Sequence, residues 1–228
     1  MINTLGKILI VVTSHSQLGN TGKPTGYYLP EVAHPALVLE KAGYQVDIAS
    51  PQGGKAPMDE RSRDLKDPIN KKFLETSEAK LNNTLALKDV DAKKYKAIIF
   101  AGGHGTMWDF ADDKNLQKVA TQIYEDGGVV SAVCHGPAAL VNIKLSSGKY
   151  LVDGKKVTGF TNAEEEAVEL TKVMPFLLES KLKERGATFN GAGLWQNNVV
   201  VDGRLVTGQN PASAGGVGEA VAKVLSGK

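Results

Sequence analysis

The 228-residue sequence has little of several things that would classify it quickly, and each shortage excludes something. It has one cysteine, Cys134, so an internal disulfide and a cysteine-rich zinc site are both excluded. A reducing, cytoplasmic setting is the expectation. The apolar run Ile8-Leu9-Ile10-Val11-Val12 is far shorter than the roughly 20 residues of a membrane span. No small-residue cleavage site of the secretory kind accompanies it, so it reads as a first β-strand and no membrane partner is expected. Neither sign of charge dominates: 27 basic and 25 acidic residues leave a net +2, with no electropositive stripe for nucleic acid or anionic lipid. Repeats of solenoid length and low-complexity tracts are missing as well.

What is present is an ordinary globular composition, 42% hydrophobic and 23% charged, with a length suited to one α/β domain over residues 1–228. Short β-branched runs alternate with segments of helical period, the pattern of a mostly parallel sheet sandwiched by helices. Strands are expected at Lys7 to Thr13, Tyr44 to Ser50, Ala97 to Ala101, Val129 to Val133 and Lys156 to Thr158. A late β-hairpin is expected from Leu194 to Val201 and Arg204 to Thr207, joined by a type I′ turn at Asp202-Gly203. Helices are expected at Val32 to Ala42, Leu116 to Glu125 and Val173 to Arg185, each ending near a glycine that can take a left-handed cap. A last helix should open with Asn210 as N-cap and Pro211 in its first turn. Residues 51–95 are polar and lysine-rich with several Gly and Pro breakers, and read as an insertion or lid.

The segment from Gly128 to Ala139 carries the chemistry. Val129-Val130-Ser131-Ala132-Val133 is a buried strand, Cys134 stands at a sharp turn, and a helix is expected near Pro137. A nucleophile at such an elbow sits at the carboxyl end of a central strand, where a helix dipole favours thiolate. Taken alone, Cys134 reads as a small hydrophobe closing the strand; its neighbours reverse that reading. His135-Gly136-Pro137 does not continue a core, and Ala101-Gly102-Gly103-His104-Gly105 closes a second strand nearby. The two loops together can aim backbone amides, those of Gly103 and His135, at an oxyanion. His104 either points into the pocket or bonds a loop carbonyl. His15, His34 and Glu31 lack tight ligand spacing, so no metal is expected.

The stretches Ala132-Val133-Cys134-His135-Gly136-Pro137, Ala101 to Thr106, Gly159-Phe160-Thr161 and Thr207 to Ser213 resemble the ThiJ/PfpI superfamily. Its fold is flavodoxin-like, of the class I glutamine-amidotransferase-like type. The likeness is to its branch of glutathione-independent glyoxalases (glyoxalase III) and stress-induced chaperones. It covers nearly the whole chain and is weakest over residues 51–95. It implies that an acidic residue at Glu31 hydrogen-bonds the thiol, whereas the residues alone read Glu31 as a helix-start carboxylate. It also implies a Cys134-His135-Glu165 triad. Glu165 stands among Glu164, Glu165 and Glu166, of which at least one is expected to be a solvated first-turn residue, with Asn162 as the cap.

The implied activity is conversion of methylglyoxal to lactate, or glyoxal to glycolate, through a Cys134 hemithioacetal, a lyase reaction of the D-lactate dehydratase type needing no cofactor. The partners implied are small reactive carbonyl compounds and a second copy in a homodimer. Two other readings stay open: a redox-sensing stress protein or holding chaperone with an oxidisable Cys134, and a cysteine peptidase or amidase.

Overall fold

A computed structural model describes residues 4–227 of the chain. In chain order the elements are β1 (Lys7–Val11), α1 (Leu29–Lys41), β2 (Gln45–Ser50), α2 (Pro68–Asn82), β3 (Leu85–Ala86), β4 (Tyr95–Phe100), α3 (Thr106–Asp109) and α4 (Lys114–Glu125). They continue with β5 (Val129–Val133), β6 (Lys156–Val157), α5 (Asn162–Ala167), α6 (Leu178–Glu184), β7 (Thr188–Phe189), β8 (Val199–Asp202), β9 (Leu205–Gly208) and α7 (Ala214–Leu225). Seven strands form one sheet in the order β3-β2-β1-β4-β5-β9-β8, parallel throughout except for the β8–β9 pair. Helices cover this sheet: α7 lies on β5 and β9 and packs against α1, while α4 lies on β4 and β5. Strands covered on both sides are continuous apolar runs, and β4 and β5 are buried along almost their whole length.

The chain leaves β1 toward β2 on one side and later returns to place β4 on the other. Loops leaving β1, β4 and β5 at their carboxyl ends therefore converge on a topological switch point, the usual place for a ligand in an open parallel sheet.

Several expectations need correction. Lys156–Val157 pairs with Thr188–Phe189 in a separate two-stranded sheet and does not join the main one. The hairpin begins only at Val199, and Asp202 is a paired strand residue opposite Leu205. Its turn is Gly203-Arg204 with only Gly203 at positive φ (59°), not a type I′ turn on Asp202-Gly203. The helix expected from Val173 forms only over Leu178–Glu184. Asn210 precedes a 3-10 turn, Pro211–Ser213, makes no side-chain cap bond, and α7 starts at Ala214. Residues 51–95 are built into the layers: β3 extends the sheet beside β2, and α2 packs on α1. Helix α2 has its own start signal, since the Asp67 side chain accepts hydrogen bonds from the Ile69 and Asn70 amides and Pro68 opens the first turn. The glycine stops were read correctly: Gly43, Gly127 and Gly186 all take positive φ just beyond their helices.

Candidate active site

Cys134 follows β5 directly and adopts φ 60°, a left-handed conformation that costs a non-glycine residue energy. The surroundings fix it there. Its amide donates to the Gly208 carbonyl at 3.0 Å, and its carbonyl accepts from the Phe160 amide at 2.8 Å. The next carbonyl, that of His135, accepts from the Thr106 hydroxyl at 3.1 Å. Three of the motifs singled out in the sequence thus meet around one elbow. The chain then makes a 3-10 turn over Gly136–Leu140 in place of the expected α-helix, so the dipole beneath the sulfur is short.

The His135 ring reaches back toward the sulfur, with Nδ1 3.5 Å from Sγ. Its Nε2 lies 2.6 Å from Glu165 Oε2. The second oxygen of the same carboxylate, Oε1, meets His104 Nε2 at 2.8 Å. Glu165 faces both rings, which directs the Nε2–H of His135 to the carboxylate and turns its Nδ1 toward the thiol. The His104 and His135 ring centroids are 4.1 Å apart, and Phe160 lies 4.2 Å from His135 on the same cluster. Burial would raise the Glu165 carboxyl, but the charge of His135 and the hydrogen bonds from both histidines prevail and hold it at about 2. Burial, and then the proximity of His135, push His104 down to about 4, so its ring is neutral. His104 therefore points into the cluster and does not bond a loop carbonyl.

Glu31, in the first turn of α1, is fully buried. Neither of its oxygens has a hydrogen-bond partner of regular geometry. Burial pushes its carboxyl up to about 8, and the approach of the Cys134 thiol and the Gly102 amide tempers the rise. The fit is close, since a Cβ on Gly102 would stand 2.3 Å from Glu31 Oε2 and 2.8 Å from the His135 nitrogen. Gly103, at φ 106°, likewise has no room for a side chain, because a Cβ there would lie 2.2 Å from the Gly26 carbonyl oxygen. Among the described residues, neither the Gly103 nor the His135 amide donates to another backbone carbonyl.

The expectation of a resting thiolate is corrected. Burial first, then the Glu31 charge and its hydrogen bond, push the Cys134 thiol well above the usual range, and the opposing His135 amide is too weak to reverse this. Two adjacent acids in one dry site resist carrying two negative charges, so the pair keeps a proton at neutral pH.

Of the three consecutive glutamates, Glu166 is the exposed one. Glu164 is fully buried and closes a capping box with Thr161, which replaces Asn162 as the cap of α5. Sequence reasoning assigned Glu164 no role, although Thr161-x-x-Glu164 is a readable capping signal. Its carboxylate also accepts from the Trp195 amide at 3.0 Å, Gln209 Nε2 at 3.1 Å and Asn210 Nδ2 at 2.9 Å. Trp195, itself at φ 60°, is thereby fixed with its ring 5.7 Å from Phe160. Trp195, Phe160, Tyr28 and Arg61 join Cys134 and the histidines in lining a cavity of about 210 Å³.

His104, His135 and Glu165 offer ligand atoms within 4.8 Å of one another, a cluster that could hold a metal ion. Both Glu165 oxygens are already engaged by the histidines. His15 stacks on Trp108 and its ring meets the Gln17 carbonyl, while His34 pairs with Asp67, so these two do not join Glu31. No described helix is long and apolar enough to cross a membrane.

Fold and site together define a parallel α/β protein with a cysteine elbow and a buried Cys-His-Glu cluster at the switch point of its sheet. The chain belongs to the DJ-1/PfpI family, whose model matches residues 25–223. It is 36% identical over 225 residues to Glyoxalase 3 of Candida albicans, covering 91% of this chain and 93% of that one. It is 35% identical over 221 residues, with the same coverage, to a glutathione-independent glyoxalase of Saccharomyces cerevisiae. The solved structure of the Rapid Encystment Protein of Francisella tularensis superposes with a TM-score of 0.93 at 43% identity, covering 97% of this chain and 99% of that one.

Proposed function

We propose that this protein is a glutathione-independent glyoxalase, a lyase of the D-lactate dehydratase type, that converts methylglyoxal to lactate and glyoxal to glycolate. The observation that carries the reading is a buried carboxyl without a cation, Glu31, beside the Cys134 thiol, which itself lines a cavity of about 210 Å³. Relatives with this activity in their names support the substrate class. No thiol cofactor is required, since Cys134 takes the part that a soluble thiol plays elsewhere.

The resting thiol is activated by proton transfer to His135 Nδ1, and Glu165 balances the resulting imidazolium. The sulfur adds to the aldehyde carbon, and the carbonyl electron pair moves onto oxygen, where the Gly103 and His135 amides receive it. The oxyanion recovers a proton from the His135 imidazolium, and ionised Glu31 then removes the proton from the former aldehyde carbon, giving an enediolate. Glu31 returns that proton to the neighbouring carbon while the hydroxyl proton passes to the neighbouring oxygen, and water hydrolyses the resulting thioester to lactate with return of the thiol. A carboxyl that titrates at about 8 is a competent base near neutral pH.

A cavity of about 210 Å³ suits a small compound better than an extended peptide, which weighs against a peptidase. A buried thiol pushed upward also weighs against a peroxide sensor, since sensor cysteines are exposed and acidic. Family likeness further supports a cytoplasmic homodimer. Enzymatic measurement of lactate formed from methylglyoxal tests the activity. It should be abolished in Cys134→Ala, Glu31→Gln and His135→Ala, and a wild-type protein that makes no lactate overturns the proposal.

A further inference from the structure

Arg61 has no part in the mechanism above. It comes from the polar segment that sequence reasoning left without a role, yet it lines the Cys134 cavity and is, among the described residues, the only side chain of permanent charge to do so. The guanidinium is mounted on a buried base. Asp59, 3% exposed, accepts from Arg61 Nε at 3.0 Å and from Nη2 at 2.6 Å. The Asp59 carbonyl accepts from the Ser62 hydroxyl at 2.6 Å, and Ser62 Oγ accepts from the Leu29 amide at 2.9 Å, so the loop is tied to the start of the helix that carries Glu31. Side-on pairing with Asp59 uses one edge of the guanidinium, and Nη1 has no hydrogen-bond partner among the described residues. Tyr28 lines the same cavity, and its hydroxyl likewise has no hydrogen-bond partner among the described residues. It lies close enough to Arg61 to feel the guanidinium charge. A planar cation paired with Asp59 on one edge and free on the other, in a cavity that Tyr28 also lines, matches a carboxylate. A neutral dicarbonyl accepts from it only through uncharged carbonyl oxygens, the weaker kind of hydrogen bond.

We propose that Arg61, assisted by the Tyr28 hydroxyl, forms a carboxylate site within the Cys134 cavity, which therefore binds small 2-hydroxy- and 2-oxocarboxylates. That lactate is also the enzyme's own product rests on the glyoxalase reading; the site itself does not. The consequence for catalysis is product retention: a neutral substrate enters, and an anion that Arg61 recognises must leave.

Calorimetric titration of the whole protein with lactate and with lactamide, its neutral isostere, tests this without turnover. Lactate should bind about tenfold or more tightly than lactamide, the worth of a charge-assisted hydrogen bond. Arg61→Met should abolish the preference. Because that change strands the buried Asp59 carboxylate, Arg61→Lys serves as a second variant that keeps the charge pair while losing the planar fork, and it should bind lactate severalfold more weakly than wild type. Wild-type protein that binds lactate no better than lactamide, or binds neither, overturns the site, as does an unchanged preference in a folded Arg61 variant. A protein that makes lactate without preferring it loses this inference alone; one that prefers lactate but makes none loses only the glyoxalase reading.

Discussion

Glu31 and Glu165 are both buried glutamates within reach of the Cys134-His135 pair, and their partners drive them in opposite directions. Glu31 has no cation and no regular hydrogen bond, and its carboxyl is pushed up to about 8. Glu165 holds a histidine on each oxygen and stays at about 2. Burial penalises charge at both positions, so the inventory of partners decides the outcome. One site thereby keeps a proton to move and a fixed negative charge to balance the histidine, the separation of roles that acid–base chemistry with two carboxyls requires.

The contrast can be broken first at Glu31. Its folded value lies above the ordinary 4.5, so its contribution to stability is complete below pH 4.5 and is lost as the pH climbs to about 8. The loss is on the order of 4 kcal/mol. Glu31→Gln should remove that slope, so urea denaturation should find the variant gaining on wild type between pH 5 and pH 8. Parallel curves would mean that Glu31 ionises freely. Glu165 has the reverse sign: its folded value is depressed, so its stabilisation is present above pH 4.5 and fades as the pH falls toward 2. Glu165→Gln should cost about 3 kcal/mol at pH 7, and the deficit should shrink in denaturation curves taken at pH 3. The smallest effect sharpens the comparison by contrast. Glu166 shares the tripeptide but is exposed, and Glu166→Gln should move stability by no more than about 0.5 kcal/mol in the same assay.

Strand β5 and its cysteine elbow were legible because a doubly covered parallel strand must be apolar along its whole length, and Cys134-His135-Gly136-Pro137 breaks that run abruptly. The choice among Glu164, Glu165 and Glu166 was not legible from the residues. Neighbours on a helix diverge by about 100°, and only the location of the cap, Thr161 and not Asn162, says which one faces the histidines. Helix α2 was missed because Pro68 was taken for a breaker when, after Asp67, it marks a first turn. The thiolate expectation failed on burial and on the Glu31 neighbour, both consequences of tertiary packing. Arg61 gave no local signal, since a lone arginine in a polar stretch acquires meaning only when the loop tied to Leu29 brings it to the cavity.

The Glu164 carboxylate grips position 195 by its main-chain amide, so the aromatic wall is anchored without reference to the group it displays. Side chains that tolerate a left-handed backbone can therefore be exchanged at that point while the neighbouring Glu165 keeps its hold on both imidazoles. The molecule separates what it admits from how it reacts, and the outer wall is free to diversify around an unchanged centre.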